Sequence, residues 1–275
     1  EFHTPNTGLF LRLKYVLYSG NSDYQKIMVL DSADFGKVLV IDGRIVLTEV
    51  DEFIYHEMLV HPAIVTLPVK SSVLLLGGGD GGALREILKH RIRNLTGVQI
   101  DDKITDVCKR FFPDIADSFD KAKIDMYNED AADFVKSVPA EKYDAVIVDP
   151  TDPEDYTKKL YGTDFFNDVR KILTEKGFLV LPCKSYVYNR SFMLKVIRRL
   201  KDLFPYVFPY FAPVPTYPGV FRSFVFASFN VDFSASEVLR EPSPVYFYSN
   251  EMRNVLLNYV PKELKDEIAK IGPKE

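Results

Sequence analysis

The sequence predicts an α/β protein in which a small antiparallel β segment precedes a mostly parallel β-sheet. In the stretch 72–90, a short apolar run leads into a glycine-rich turn, and helical spacing of apolar residues follows. Strand-like and helix-like segments then alternate as far as residue 181, which is typical of a parallel sheet with right-handed crossovers. Short alternating segments occupy positions 9–48 and predict antiparallel strands.

The N-terminal region, residues 1–50, is predicted to form a β-strand domain of its own. Turn residues at 19–23 interrupt one strand, and an Asp-Gly pair at 42–43 connects two others. Asp51 and Glu52 then open a segment with helical spacing, so a helix leads into the main domain, residues 51–275. The strands expected in the N-terminal region are 11–18, 26–30, 37–41 and 44–48.

The main domain is expected to bind its ligand at one edge of the parallel sheet. Ligands of such sheets lie outside the carboxyl ends of the strands, and polar residues follow those ends here: the turn 77–82, Gln99, Asp130 and the run 149–152. The strands expected are 73–76, 95–101, 123–127, 143–149 and 177–181; the helices are 103–112, 131–138, 164–173 and 190–204; an antiparallel pair at 206–210 and 223–228 closes the sheet; and helical segments follow at 249–257 and 261–271.

Composition and charge argue against several classes of function. The formal net charge is -4 and Lys and Arg form no broad cluster, so a general nucleic-acid binder is not expected. Cys108 and Cys183 lie far apart without a ligand pattern, which argues against a disulfide framework and a zinc site and makes the cytoplasm the expected compartment. No apolar run reaches the roughly 18 residues of a membrane span, and no signal-peptide pattern opens the chain.

The glycine-rich turn at 77–82 is the strongest single signal of a ligand site. Glycine tolerates positive φ and lets a ligand approach the backbone, and the helix N-terminus that follows offers unpaired N–H groups. For this motif alone, an ordinary strand-to-helix turn is the alternative. No phosphate-binding lysine follows the glycines, which argues against a nucleoside triphosphate. Asp80, Asp149 and Asp152 are instead expected to converge on one cleft, which favours a cationic amine, although such acids also bind Mg²⁺.

Two further positions fit a nucleoside, and each has a structural alternative. In nucleoside-binding sheets a polar residue at the second strand end meets the ribose hydroxyls, and here that residue is Gln99. Gln99 is equally compatible with an ordinary polar strand end. Asp130, at the third strand end, is placed either to accept a hydrogen bond from an adenine amino group or to cap the next helix.

Several short motifs follow one another along the chain and together resemble one family. They are His3-Thr4-Pro5-Asn6, Ser22-Asp23-Tyr24-Gln25, Asp51-Glu52-Phe53, Tyr55-His56-Glu57-Met58, 76–82 with Leu84-Arg85-Glu86 and Lys89-His90, 149–153, Leu160-Tyr161-Gly162 and Thr216-Tyr217-Pro218. In order and spacing they are similar, over nearly the whole chain, to the motifs of the spermidine synthase family of polyamine aminopropyltransferases. The resemblance implies a Rossmann-like domain, of the class I methyltransferase kind, after an N-terminal β domain.

The resemblance also implies a reaction and a role for each matching residue. Decarboxylated S-adenosylmethionine is the implied co-substrate; its aminopropyl group moves to putrescine or a related di- or triamine, giving a spermidine-type product and methylthioadenosine. A base is needed because an alkylamine is protonated at neutral pH. No metal or prosthetic group is implied, and a homo-oligomer, dimer or tetramer, is expected. By position, Asp149 and Tyr55 are catalytic, Gln25, His56, Gly77, Gly78, Gly79, Asp80, Gln99, Asp130 and Ala131 bind the donor, and Asp152 and Tyr217 bind the acceptor.

The chain departs from the family pattern on both sides of the implied site. Gln99 stands where glutamate is common, and the loss of a second acceptor oxygen is expected to cost about 1 kcal/mol of donor binding. Val46 replaces a frequent glutamine. On the acceptor side, Pro182 and Lys184 stand where glutamine and glutamate are common, and Phe221 where tryptophan is frequent. If Lys184 faces the pocket, its positive charge opposes a polyamine.

Two other functions remain as alternatives at this point. The first is an S-adenosylmethionine-dependent methyltransferase, because the same sheet serves both reactions; Asp80 would repel the carboxylate that this donor retains. The second is a non-catalytic relative that binds a nucleoside or a polyamine. Gln99 and Lys184 favour it, whereas the intact Asp149 and Asp152 argue against it.

Overall fold

The computed structural model describes residues 1–68, 71–121, 123–151 and 157–271 and confirms the predicted α/β architecture. Within these residues a four-stranded antiparallel sheet precedes a seven-stranded, mostly parallel sheet. The N-terminal elements are β1 (Phe2–Thr4), β2 (Thr7–Gly8), β3 (Leu13–Asn21), β4 (Lys26–Ser32), β5 (Lys37–Ile41) and β6 (Arg44–Thr48).

The elements of the main region alternate as the sequence predicts. They are α1 (Glu52–Ile64), β7 (Ser72–Gly77), α2 (Gly82–Leu88), β8 (Asn94–Val98), α3 (Asp102–Phe111), α4 (Pro113–Ala116), α5 (Ser118–Lys121), β9 (Asp125–Tyr127), α6 (Ala131–Ser137), β10 (Tyr143–Asp149), a 3₁₀ turn (Thr157–Tyr161), α7 (Thr163–Ile172), β11 (Leu173–Cys183), α8 (Arg190–Lys201), β12 (Tyr206–Pro213), β13 (Phe221–Ser228), α9 (Asn250–Asn258) and α10 (Lys262–Ala269).

The N-terminal sheet runs in the order β3-β4-β5-β6 and packs one apolar face on helix α3. Ile27, Val29 and Leu39 from the sheet are fully buried and share a cluster with Ile104 and Val107 from the helix. This packing places the sheet against the carboxyl-terminal edge of the central sheet. Gln25, which directly precedes β4, and Val46, in the middle of β6, therefore border the cleft described below.

The predicted break at 19–23 lies too early in the chain. Strand β3 continues through Asn21, because Ser19, Gly20 and Asn21 are paired with Met28, Ile27 and Lys26 of β4. The turn itself is closed later, by the hydrogen bond from Ser22 N to Gln25 O. Pairing with a strand that contributes buried Ile27 and Val29 has overridden the local preference of these small polar residues for a turn.

The central sheet has the order β12-β13-β11-β10-β7-β8-β9, in which β11, β10, β7, β8 and β9 are parallel. The chain builds outward from β7 through β8 to β9 and then returns to β10 on the other side of β7. The strand order thus reverses between β7 and β10, which is where sheets of this kind bind ligands. In this register Asp149 pairs with Gly77, so the last residues of the two strands lie side by side.

Some observed helix and strand boundaries differ from the predicted ones. Helix α7 ends at Ile172 and β11 begins at once, whereas the sequence predicts a strand only from residue 177. The early part of β11 contains Leu173, which pairs with Tyr143 of β10. The short helices α4 and α5 were not predicted; Pro113 opens α4 at a first-turn position that proline favours. Among the described residues, no helix combines the length and apolar character needed to cross a membrane.

Candidate active site

A cleft of about 830 Å³ opens at the carboxyl ends of β7, β8 and β10. Its walls contain most of the residues that the sequence analysis singled out. His56 lies behind Asp80 and is not in the cleft wall, and Asp152 falls outside the described residues. The predicted residues in the wall are Gln25, Tyr55, Gly77, Gly78, Gly79, Asp80, Gln99, Asp130, Ala131, Asp149 and Tyr217.

Gly77 and Gly78 allow the ends of β7 and β10 to meet. Both have positive φ, +90° and +71°. The Gly78 N–H donates to the Asp149 carbonyl oxygen at 2.8 Å. A Cβ on Gly77 would lie 2.2 Å from that same oxygen, a distance at which the backbone itself has to move. The glycines therefore set the position of Asp149 as well as the shape of the turn.

Replacing Gly77 by alanine is expected to destabilise the fold strongly. The positive φ alone costs about 1 kcal/mol, and displacement of the Asp149 backbone adds about 2 kcal/mol or more. Gly43 is a matched control, because it has φ +78° and nothing within 4 Å of the added Cβ. Urea unfolding of G77A and G43A measures the loss of unfolding free energy in each variant. Equal losses would show that the backbone at Asp149 moves away from the added Cβ at no cost.

Asp80 belongs to a buried row of alternating charges. Its Oδ1 accepts from the Gly82 N–H at 2.7 Å and lies 3.5 Å from His56 Nε2. His56 Nδ1 meets Glu52 Oε2 at 2.7 Å, and Glu52 accepts two hydrogen bonds from Arg85 at 2.8 and 3.0 Å. Glu52, His56 and Asp80 are all less than 10% exposed, at 7%, 1% and 8%. Each charge in this row therefore faces an opposite one.

This row keeps Asp80 ionised inside the protein. Burial disfavours the imidazolium, yet the carboxylates of Asp80 and Glu52 raise the pKa of His56 well above its usual value. Burial likewise disfavours the ionised form of Asp80, but His56 and the Gly82 N–H lower the pKa of Asp80. Asp80 thus presents a permanent negative charge to the cleft.

Asp149 has a different environment and a different protonation behaviour. Its Oδ1 accepts a 2.7 Å hydrogen bond from the Tyr55 hydroxyl, while its buried Oδ2 has no hydrogen-bond partner among the described residues. Burial, followed by the charge of Asp80, raises the pKa of Asp149 to about 6. A buried carboxylate oxygen that lacks a donor is a site for an incoming N–H group. Asp149 is therefore suited to exchange a proton near neutral pH.

Tyr217 and Tyr55 form the aromatic side of the cleft. Their rings stack with centroids 5.4 Å apart and an interplanar angle of 14°. The Tyr217 hydroxyl donates to the Val46 carbonyl oxygen at 3.0 Å, and the buried Arg222 guanidinium lies 4.6 Å from the Tyr217 ring centroid. Asp51 anchors the loop, because its Oδ2 accepts from the N–H and the hydroxyl of Thr216 at 2.9 and 2.6 Å.

A second pocket of about 550 Å³ adjoins the cleft on this aromatic side. The two spaces share Val46, Tyr217 and three further wall residues, Ile41, Pro150 and Thr151. Arg44 and Arg222 are also in its wall. The cleft and this pocket are therefore contiguous beside Tyr217.

Asp130 and Gln99, the two predicted nucleoside contacts, line the cleft and also make hydrogen bonds within the protein. Asp130 caps α6, since its Oδ1 accepts from the N–H groups of Ala132 and Asp133 at 2.9 and 3.2 Å. Asp130 also pairs with Lys159, and both residues line the cleft. Gln99 lies in the wall and donates from its amide nitrogen to the Asp101 carbonyl oxygen at 3.2 Å.

The family departures differ in how closely they approach the cleft. Val46 is in the wall of both spaces, where it leaves an apolar surface and a carbonyl oxygen that holds Tyr217. Pro182, Lys184 and Phe221 are absent from the described walls of the cleft and of the adjoining pocket. The Lys184 side chain is therefore not among the charges that a cation in the cleft would meet at its wall.

Several residues of the site were given no role in it from the sequence. Glu52 precedes His56 by one helical turn, so the usual spacing of helical ion pairs was an available signal. Asp51, Asp101 and Arg222 belong to the site through contacts with residues distant in the chain, which are Thr216, Gln25 and Tyr55, respectively. The motif at 51–53 contains Asp51 but does not indicate its contact with Thr216, and no local pattern marks Asp101 or Arg222.

His56, Asp80 and Asp149 each offer a possible metal-ligand atom, and these atoms lie within 4.8 Å of one another. The protonation of His56 argues against a metal here. Both ring nitrogens face carboxylates, and the raised pKa keeps them protonated, whereas a metal needs a neutral imidazole with a lone pair. The donor set fits an organic cation better than a metal ion.

The fold and the cleft together define a class of protein. A glycine-rich turn at the reversal point of a parallel sheet suits a nucleoside, and two buried carboxylates of unequal pKa suit a cationic group and a proton transfer. This is the arrangement of a Rossmann-like group-transfer enzyme. The chain belongs to the spermidine synthase family: residues 52–235 match the model of the spermine/spermidine synthase domain, and residues 1–49 match that of the spermidine synthase tetramerisation domain.

Named relatives and solved structures agree with this membership. The polyamine aminopropyltransferase of Methanocaldococcus jannaschii is 35% identical over 98% of this chain and 94% of its own length. The polyamine aminopropyltransferase of Clostridioides difficile is 36% identical over 97% of this chain and 98% of its own length. A crystal structure of spermidine synthase in complex with the transition state analogue AdoDATO superimposes with a TM-score of 0.89 at 29% identity, covering 96% of this chain and 92% of the other. The crystal structure of spermidine synthase from Thermotoga maritima superimposes with a TM-score of 0.87 at 29% identity, covering 96% of this chain and 91% of the other.

Proposed function

We propose that the protein is a polyamine aminopropyltransferase whose chemistry is carried by Asp149. It moves the aminopropyl group of decarboxylated S-adenosylmethionine to an amine, such as putrescine or a related di- or triamine, and releases methylthioadenosine. The observation that carries the assignment of the base is the buried Asp149 Oδ2 without a donor, beside an Oδ1 that Tyr55 holds. Family membership supports the reaction.

In this proposal the donor spans the cleft from Asp130 to Asp80. Asp130 and Ala131 border the adenine, Gln25 and Gln99 the ribose, and the glycines 77–79 the sulfonium end. Asp80, held anionic by His56, binds the ammonium of the aminopropyl group. Tyr217 and Asp152 are proposed to bind the acceptor, with Tyr217 presenting its ring beside Tyr55.

The transfer is a displacement at the carbon next to sulfur. The acceptor binds as an ammonium, Asp149 takes its proton, and the freed nitrogen lone pair forms the new N–C bond. The C–S bond breaks with its electron pair moving to sulfur, which turns the sulfonium into a neutral thioether. No acid is required by the leaving group. Alignment of the two substrates supplies much of the acceleration.

The proposal is tested by following methylthioadenosine release with the decarboxylated donor and a panel of diamines and triamines, with and without a chelator. Product with at least one amine, unaffected by the chelator, supports it. Release of no methylthioadenosine with any amine would contradict it. Methyl transfer from the carboxylated donor would instead favour the methyltransferase alternative.

The activity is expected to rise with pH through about 6, where Asp149 loses its proton. Below that pH the protonated carboxyl cannot accept a proton from the amine, so kcat/KM falls as pH falls. The Tyr55 hydrogen bond lowers the pKa of Asp149, so Y55F is expected to move the midpoint to higher pH. Rate profiles between pH 5 and 9 measure both; a Y55F midpoint that stays in place would separate Tyr55 from the base.

We also propose that residues 1–50 form an assembly domain and residues 51–275 the catalytic domain, in a homo-oligomer, dimer or tetramer. The exposed apolar residues of β3 support this, since Leu13, Tyr15 and Val16 are 46%, 68% and 58% exposed. The match of residues 1–49 to a tetramerisation domain is consistent with it. A cytoplasmic location and the lack of nucleic-acid binding stay predictions.

A further inference from the structure

A buried carboxylate, Asp101, lies behind the two glutamines of the cleft. Asp101 is 3% exposed and is the N-cap of α3, two residues after Gln99. It is absent from the described cleft wall, so a nucleoside in the cleft meets other residues first. Its hydrogen bonds nevertheless reach both Gln25 and Gln99.

The Asp101 carboxylate determines which way the Gln25 amide points. Oδ2 accepts from Gln25 Nε2 at 2.8 Å and from Ser22 Oγ at 2.6 Å, while Oδ1 accepts from the Lys103 N–H at 3.1 Å. An ionised carboxylate only accepts hydrogen bonds, so Gln25 turns its nitrogen toward Asp101. The opposite amide orientation would set oxygen against oxygen.

The backbone carbonyl of Asp101 orients Gln99 in the same sense. A carbonyl oxygen only accepts, so the Gln99 nitrogen faces it at 3.2 Å and the amide oxygen lies on the other side. Gly79 makes room for this orientation, because a Cβ there would lie 2.4 Å from Gln99 Nε2. Both glutamines lie in the cleft wall, and both have their nitrogens engaged with the same residue.

We propose that Asp101 is a positioning residue for the ribose end of the donor, turning Gln25 and Gln99 so that their carbonyl oxygens accept from the two ribose hydroxyls. This inference rests on the proposed function, which assigns a nucleoside donor to the cleft. It explains how Gln99 serves at a position where glutamate is common in the family. One oriented amide supplies one acceptor oxygen, and the second comes from Gln25.

The substitution D101N tests the proposal because three donors converge on the Asp101 carboxylate. Asparagine offers one accepting oxygen, and at a helix N-cap this oxygen goes to the Lys103 N–H. The new NH₂ group then faces Gln25, whose amide flips and turns its nitrogen toward the ribose. The donor KM is expected to rise about tenfold, with kcat and the acceptor KM changing less than about twofold.

A binding measurement separates positioning from general loss of structure. Calorimetry compares methylthioadenosine with its 2′,3′-dideoxy analogue, which has no ribose hydroxyls. The wild-type protein is expected to bind methylthioadenosine at least about tenfold tighter than the analogue. D101N should lose the share of this preference that the Gln25 oxygen supplies, by weakening methylthioadenosine alone, and keep the share of Gln99, whose nitrogen still meets the backbone carbonyl. Equal weakening of both ligands, or no change in either, would overturn the proposal.

A compensating substitution provides the matched control. Q25E in the D101N background places an acceptor against the new NH₂ group, keeps an oxygen for the ribose and preserves the total charge. It is expected to restore most of the lost affinity; failure to recover the preference for the hydroxylated ligand would also count against the proposal. If D101N does not fold, Q25L with Asp101 intact is expected to lose the same preference, and retention of it would refute the inference.

The two proposals fail in distinguishable ways. The calorimetric binding measurements require no turnover, so they test the role of Asp101 in ribose binding even if no amine is a substrate. Absence of methylthioadenosine release with every amine would reject the proposed function, whereas normal turnover with unaltered ligand preference in D101N would reject only the role of Asp101.

Discussion

Turnover of D149N is expected to fall by about 10³-fold, while donor binding survives. Asparagine has nearly the same shape as aspartate, and its oxygen still accepts from the Tyr55 hydroxyl that now lies 2.7 Å from Oδ1. What is lost is a group that takes a proton from the acceptor ammonium. The change therefore removes the base and leaves the cleft in place.

Two measurements and one control decide this prediction. Single-turnover release of methylthioadenosine gives the chemical step, and calorimetry with methylthioadenosine gives nucleoside binding. D144N is a matched control on the same strand, because Asp144 accepts from the Ser72 N–H and from Thr174 Oγ1 at the opposite end of β10. It is expected to lower stability and leave kcat within about twofold. A D149N rate within tenfold of the wild type would place the base elsewhere.

The architecture was predictable because its signals are local. The apolar runs at 73–76 and 145–148 are buried on both faces of the sheet, which requires continuous apolar sequence. Parallel strands then bring their carboxyl ends to one edge, so the turn 77–82 and the run 149–152 were expected at the same edge, and the pairing of Gly77 with Asp149 places them there. The prediction of a turn beginning at residue 19 was wrong because strand pairing with β4 is not visible in the local composition.

The supporting structure of the site was not predictable in the same way. Asp51 and Thr216 are 165 positions apart, yet their hydrogen bonds hold the loop that carries Tyr217. Asp101 and Gln25 are 76 positions apart. Single polar residues of this kind have no periodicity, and their meaning depends on which strand ends the fold brings together. The sequence therefore indicates the residues that face a ligand better than those that orient them.

The preference for a decarboxylated donor is expected to depend on Asp80. In the wild type its carboxylate meets the donor ammonium and repels a donor that retains its own carboxylate. D80N removes the charge, so kcat/KM for the decarboxylated donor should fall by about 10²-fold, and the ratio of affinities for the two donors should fall with it. Affinity for methylthioadenosine, which has no ammonium, should stay within about threefold.

His56 complicates this substitution, because D80N leaves its imidazolium facing a neutral amide 3.5 Å away in place of a carboxylate. An unpaired positive charge at that point would itself repel the donor ammonium. The double variant H56Q/D80N separates the two effects: recovery of donor affinity relative to D80N would assign the loss to His56, and no recovery would assign it to the missing pair between Asp80 and the donor. The row from Asp80 to Arg85 leads us to expect little recovery, since Glu52 accepts from His56 at 2.7 Å and continues to balance its charge.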